Sequence, residues 1–170
     1  SVLAIGAYRN DDNGYNSGHT RVYLYSNSDW IQIGEDIIGE DEGDNSGYAV
    51  ELNDDGSVVV IGSIYSTNVN GDTNAGQVRV WKYSNPGVTG GSWTQLGDDI
   101  EGEAADDWSG YAVSINSDGS IIALSDRLND DNGDDAGKVR VFQYSNSDMT
   151  AGGSWIQIGN NILGEDAGDY

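Results

Sequence analysis

One unit occurs three times in this chain, and that periodicity limits the fold more than any other feature. SNSDWIQIGEDIIGE begins at Ser26, SNPGVTGGSWTQLGDDIEGE at Ser84 and SNSDMTAGGSWIQIGNNILGE at Ser145. Trp30, Trp93 and Trp155 are equivalent and lie 63 and 62 residues apart. Ser46-Gly47-Tyr48-Ala49-Val50 returns as Ser109-Gly110-Tyr111-Ala112-Val113, and Gly18, Gly76 and Gly137 each open a G-x-x-R-V segment. Repeats of this length build stacked or radial architectures in which each unit buries its apolar surface against the next. The 170 residues divide into units of about 1–56, 57–119 and 120–170, the last truncated. No linker separates them, so a single repeat domain is expected.

Within a unit, short alternating or β-branched runs lie between Gly, Asn and Asp clusters, which predicts four strands and no helix. Strand a is 46–52 or 109–115. Strand b is 2–7, 58–63 or 121–126, an unbroken apolar run that suggests burial on both faces. Strand c is 20–26, 77–84 or 138–145, and its inner face stays ambiguous because the valines and the aromatics fall on different parities. Strand d is centred on WIQIG, WTQLG and WIQIG. Asn53 to Gly56 and Asn116 to Gly119 read as tight a-to-b turns whose Asp-Gly pairs supply the positive φ of a hairpin. Four antiparallel strands per unit predict β-propeller-like blades. Three blades are too few to close a propeller, so the sheets are expected to stay open or to be completed by neighbouring copies.

Ser-Gly-Tyr-Ala-Val, Ile61-Gly62-Ser63 and Gly76-Gln77-Val78-Arg79-Val80-Trp81, in that order, resemble the FG-GAP repeats of integrin alpha-chain-like β-propellers. The family's Phe-Gly is matched by Gly47 with Tyr48. Its Gly-Ala-Pro is matched by Gly6-Ala7 with Tyr8 in place of Pro, and its G-x-V-x-V-Y by Gly18 to Tyr23. The resemblance implies an extracellular or cell-surface, adhesive, non-catalytic protein. The family's D-x-[DN]-x-D-G calcium loop between the first two strands is replaced here by the tight turns, so that site does not carry over.

Charge narrows the partners. Seven Lys and Arg against 29 Asp and Glu give a net charge of −22, which is incompatible with a phosphate-reading surface and disfavours anionic membranes. Hydrophobic content of 36% still supports a packed core, and no apolar run approaches the roughly 18 residues of a membrane span. A mean hydropathy of −0.51, the acid excess and 25 Gly with one Pro fit a saline or calcium-bearing exterior, while the absence of Cys excludes disulfides without locating the protein.

The b-to-c loops hold the densest oxygen donors. Asp130-x-Asn132-x-Asp134 offers three at alternate positions around Gly133, a pattern Ca²⁺ selects; Asp11-x-Asn13-x-Tyr15 and Asn68-x-Asn70-x-Asp72 are its equivalents. The competing reading is that these residues make solvated turns. Glu40 with Asp44, Glu103 with Asp107 and Glu165 with Asp169 recur after strand d, as caps, as partners of Arg79 or Arg140, or as cation ligands. The recurrent Trp30, Trp93 and Trp155 are expected to pack between units, and the non-recurrent Trp108 to make an exposed contact with a glycan or protein. His19, replaced by Gln77 and Lys138 elsewhere, is expected at the surface. No nucleophile elbow, zinc-protease motif, P-loop or dinucleotide fingerprint occurs, so an enzyme is not expected. The expected partner is a second copy, joined through the open repeat edges as in a filament or sheath, or further repeats of a longer chain. A propeller fragment that binds or cleaves carbohydrate, or a ligand-binding fragment of an adhesion receptor, is the alternative.

Overall fold

A computed structural model describes residues 1–169. The chain is all-β, with three antiparallel sheets and no helix among the described residues. The first sheet holds β1 (Val2–Ala7), β2 (His19–Ser26), β3 (Asp29–Gln32) and β4 (Ile37–Ile38). The second holds β5 (Ser46–Leu52), β6 (Val58–Ser63), β7 (Gln77–Tyr83), β8 (Trp93–Gln95) and β9 (Ile100–Glu101). The third holds β10 (Ser109–Ile115), β11 (Ile121–Asp126), β12 (Lys138–Tyr144), β13 (Trp155–Gln157) and β14 (Ile162–Leu163).

Strands a, b and c match the sequence reading within a residue. Strand d differs, because it breaks into two pieces that both pair with strand c, as β8 and β9 do with β7. The break falls at Gly97-Asp98-Asp99, where Gly97 takes φ +72° and the chain steps along its partner. Each strand a hairpins with the b strand that follows it, β5 with β6 and β10 with β11. The sheets therefore divide just before Ser46 and Ser109, offset by one strand from units counted from strand b. The two turns form as expected, with Gly56 N–H donating to Asn53 O and Gly119 N–H to Asn116 O.

Stacking settles which faces are inner. Val22, Leu24 and Ile33 of the first sheet meet Tyr83 and Trp93 of the second. Val58, Val60, Val78, Val80 and Leu96 of the second meet Ile122, Leu124, Phe142 and Tyr144 of the third. One parity of strand c thus faces the following sheet, and the opposite parity, carrying the Arg and the aromatics, faces the preceding one. Only the middle sheet is covered on both sides. Burial of strand b on both faces holds for β6, where Val58 to Ile61 are at most 1% exposed, whereas β1 and β11 alternate.

Candidate functional site

The joint between successive sheets is built twice from equivalent residues. In the second sheet Tyr83 and Trp93 pack with ring centroids 5.0 Å apart, and Trp93 Nε1–H donates to the carbonyl of Ile33 in the first sheet at 2.9 Å. In the third sheet Tyr144 and Trp155 are again 5.0 Å apart, and Trp155 Nε1–H donates to Leu96 O at 2.7 Å. A glycine follows each acceptor. Gly34 and Gly97 take φ +69° and +72°, and a methyl on either would meet the indole Cδ1, at 2.5 Å for Trp93 and 3.1 Å for Trp155. The glycine supplies both the turn and the space for the ring.

The same parts stand uncovered at the two ends of the stack. Tyr25 and Trp30 of the first sheet keep the paired geometry, 5.2 Å apart, yet are 48% and 45% exposed. Ile158 of the third sheet is 38% exposed, and Gly159, at φ +75°, has no atom within 4 Å of its added methyl position. Elsewhere on the third sheet, a cleft of about 440 Å³ is lined by Tyr111, Ser125, Lys138, Val139, Ile162 and Leu163, among others. The corresponding places on the first two sheets are filled by Ser46-Gly47 and Ser109-Gly110.

A polar layer flanks each aromatic joint. Gln77 Nε2 donates to Glu40 of the preceding sheet at 3.0 Å, and the equivalent Lys138 ammonium pairs with Glu103 of the preceding sheet and with Asp131 at 3.0 Å. Burial works against the Lys138 charge, but its bonds to Glu103 and Asp131 prevail and hold its pKa above the usual lysine value. Arg79 Nη2 donates to Ile38 O at 2.8 Å and Arg140 Nη2 to Glu101 O at 3.0 Å, each reaching into the preceding sheet. Arg140 also grips the fully buried carboxylate of Asp126.

His19 occupies the Gln77 and Lys138 position, and it is buried rather than exposed as the sequence suggested. Variation at this position reflects different polar partners, not indifference: His19 Nδ1 lies 3.3 Å from Asp12 and 3.9 Å from Asp36. Among the described residues, Asp12, His19 and Asp36 are the one group of three whose ligand atoms converge closely enough to hold a metal. Asp36 is nevertheless committed, accepting from Arg21 Nε and Nη2 and from Gln32. The Arg21 bond holds its pKa below the usual carboxylate value.

The acidic loops bind their own backbone. Asp11 Oδ1 accepts from Asn16 N–H at 2.7 Å and Asp130 Oδ1 from Asp135 N–H at 2.8 Å. Asn13 Nδ2 donates to Gly39 O and Glu40 O, and Asn132 Nδ2 to Gly164 O and Glu165 O, latching each loop to the segment after strand d. Asp72 Oδ2 accepts from Asn68 at 3.0 Å, and exposed Asp134 accepts from Gly168 through its backbone carbonyl. Asp44, Asp107 and Asp169 cap N–H groups three to four residues upstream, the structural role their recurrence suggests.

Trp108 is half-buried in an aromatic row that crosses the sheets. Tyr8 meets Tyr48 at 5.4 Å, Tyr48 meets Tyr111 at 5.2 Å, and Tyr65 meets Trp108 at 5.3 Å. Arg127 lies over both Tyr111 and Trp108. Trp108 takes φ +54°, where the equivalent Asn45 takes +56°, a left-handed conformation that suits Asn far better than an aromatic.

Sequence reasoning missed the buried role of His19 and the Tyr8-Tyr48-Tyr111 row. Tyr8, Tyr48 and Tyr111 lie 40 and 63 residues apart, and local sequence carries no signal for contacts made across sheets. No protein-family model and no curated protein sequence matches the chain.

Proposed function

We propose that this is an extracellular, non-enzymatic, β-propeller-like repeat protein of structural or adhesive role that self-associates. Exposure of the two end sheets carries the reading. The middle sheet is buried on both faces, whereas Leu3, Ile5, Tyr25 and Trp30 at one end and Ile156, Ile158 and Ile162 at the other face solvent. Apolar surface gathered at two opposite ends marks interaction sites. The FG-GAP resemblance supports the extracellular and adhesive character. The high negative charge serves solubility, with cations, Ca²⁺ among them, as counter-ions around the acidic loops. Light scattering across a concentration series at physiological and higher salt tests this reading: growth in particle mass supports it, and a constant monomer mass overturns it.

Trp108 favours a second reading, glycan binding. A bulky residue held at positive φ costs on the order of 1–3 kcal/mol and points to a use, and aromatic faces beside an Arg suit sugar stacking. Glycan-array binding by the native chain, lost in Trp108→Asn, supports it; no binding by the native chain removes it.

A further inference from the structure

Resting on the self-association reading, we infer that the joint is a sheet face against a sheet face, head to tail, with a second copy of this chain as the occupant. In it the first sheet of one copy seats on the third sheet of another and reproduces the internal joints. Trp30 Nε1–H donates to Ile158 O of the neighbouring copy, and the indole fills the space above Gly159.

Three independent features carry this. The donor is preformed: Tyr25 and Trp30 hold the tilt and separation of the two internal pairs, 51° and 5.2 Å against 42° and 49° at 5.0 Å, with no sheet against them. The acceptor is preformed as well, since Gly159 repeats the backbone of Gly34 and Gly97, and its indole space is vacant. The polar layer also matches. Glu40 reaches Gln77 and Glu103 reaches Lys138, so exposed Glu165 of one copy arrives at His19 of the next. Arg79 and Arg140 donate to Ile38 O and Glu101 O, so Arg21 arrives at Leu163 O.

The joint runs through β2 and β3 on one side and β12, β13 and β14 on the other. It uses faces rather than unpaired strand edges. Because the two surfaces differ, it is heterologous and can repeat without limit or close into a ring. His19 takes the place of Gln77 and Lys138 in this polar layer, with Asp12 and Asp36 on its own sheet, Arg21 beside Asp36, and incoming Glu165 around it.

The experiment is sedimentation of purified chain at salt high enough to screen the net charge, with variants of exposed residues that spare the fold. Trp30→Ala removes the donor side and Ile158→Glu blocks the acceptor side; each weakens self-association by about 30-fold or more, as loss of a central interface Trp does. An equimolar mixture of the two variants then forms dimers and nothing larger, because Ile158→Glu keeps a donor face and Trp30→Ala keeps an acceptor face. His19→Lys tightens assembly, and adding Glu165→Gln cancels the gain. Native chain that stays monomeric throughout overturns the self-association reading itself. Native chain that assembles while both single variants assemble equally well leaves that reading standing and overturns this joint in favour of another surface. Variants that lose assembly singly but do not pair in the mixture overturn the head-to-tail arrangement.

Discussion

Asp126 and Arg140 form a buried pair in the third sheet, with Arg140 Nε 2.7 Å from Oδ2 and Nη2 3.0 Å from Oδ1. At the same place in the second sheet Ser63 faces Arg79, and among the described residues neither the Ser63 hydroxyl nor Arg79 Nε finds a partner. Removing one member of a buried pair strands the other charge. Asp126→Ser is therefore expected to cost about 3–5 kcal/mol in denaturant unfolding. Ser63→Asp should stabilise on the order of 1 kcal/mol by giving Arg79 Nε its acceptor. An unchanged or lower midpoint for Ser63→Asp would show that desolvating a second carboxylate outweighs the new bonds.

Position in the stack separates equivalent tryptophans. Trp93→Ala empties a joint between sheets and should cost about 3–5 kcal/mol, whereas Trp30→Ala in the isolated chain should cost under about 1 kcal/mol because the side chain is half exposed already. Trp93→Phe keeps most of the ring but loses the bond to Ile33 O, and should fall between them. Equal losses at Trp30 and Trp93 would contradict the stacking order.

Trp108→Asn places at φ +54° the residue type that the repeat itself uses at Asn45. Relief of backbone strain and loss of the Tyr65 and Arg127 ring contacts oppose each other. With the strain term of about 1–3 kcal/mol the larger, thermal melting should show equal or greater stability. A clear drop would mean that the aromatic row holds the sheets together.

Acidification has a predictable sign. Burial raises the pKa of Asp44, Asp99 and Asp107, with nearby Glu40 adding to Asp99. A carboxyl whose folded pKa exceeds its unfolded one binds its proton more tightly when folded. Its penalty is present at neutral pH and disappears as pH falls through the folded value. Asp36, held low by Arg21, acts oppositely, and its contribution is lost only below the ordinary carboxylate value. The denaturation midpoint should rise as pH falls from neutral through the raised values of these carboxyls, and fall again below the ordinary carboxylate value. A monotonic decline on acidification would refute this.

Salt should stabilise the fold, since a net charge of −22 repels itself over distances that a Debye length of about 8 Å only partly screens. Because Asp11, Asn13, Asp130 and Asn132 already serve the loop backbone, CaCl₂ at matched ionic strength should raise the melting temperature no more than NaCl does. A calcium-specific increment removed by chelator would locate a divalent ion in the loops.

Periodicity and turn chemistry made the strands, the turns and the inter-unit role of Trp93 and Trp155 readable from residues alone. Three things were not readable, each for a physical reason. Ile37-Ile38, Ile100-Glu101 and Ile162-Leu163 are two-residue ladders, too short for any alternation to register. The inner face of strand c depends on which neighbour is present, so Val22 and Phe142 are both buried although they sit on opposite parities. His19 lies on a polar strand end, and its burial follows from Asp12 and Asp36, which local sequence does not bring near it.

Glycines at the a-b side of the stack let adjacent sheets approach closely. An added methyl on Gly6 would collide with the Gly47 carbonyl, and one on Gly62 with that of Gly110, so adjacent sheets touch there backbone to backbone. On the c-d side Tyr83, Trp93, Tyr144 and Trp155 hold them apart. The spacing of the sheets at the a-b margin rests on the missing Cβ of Gly6 and Gly62, and Gly62→Ala would force the Gly110 carbonyl away from β6.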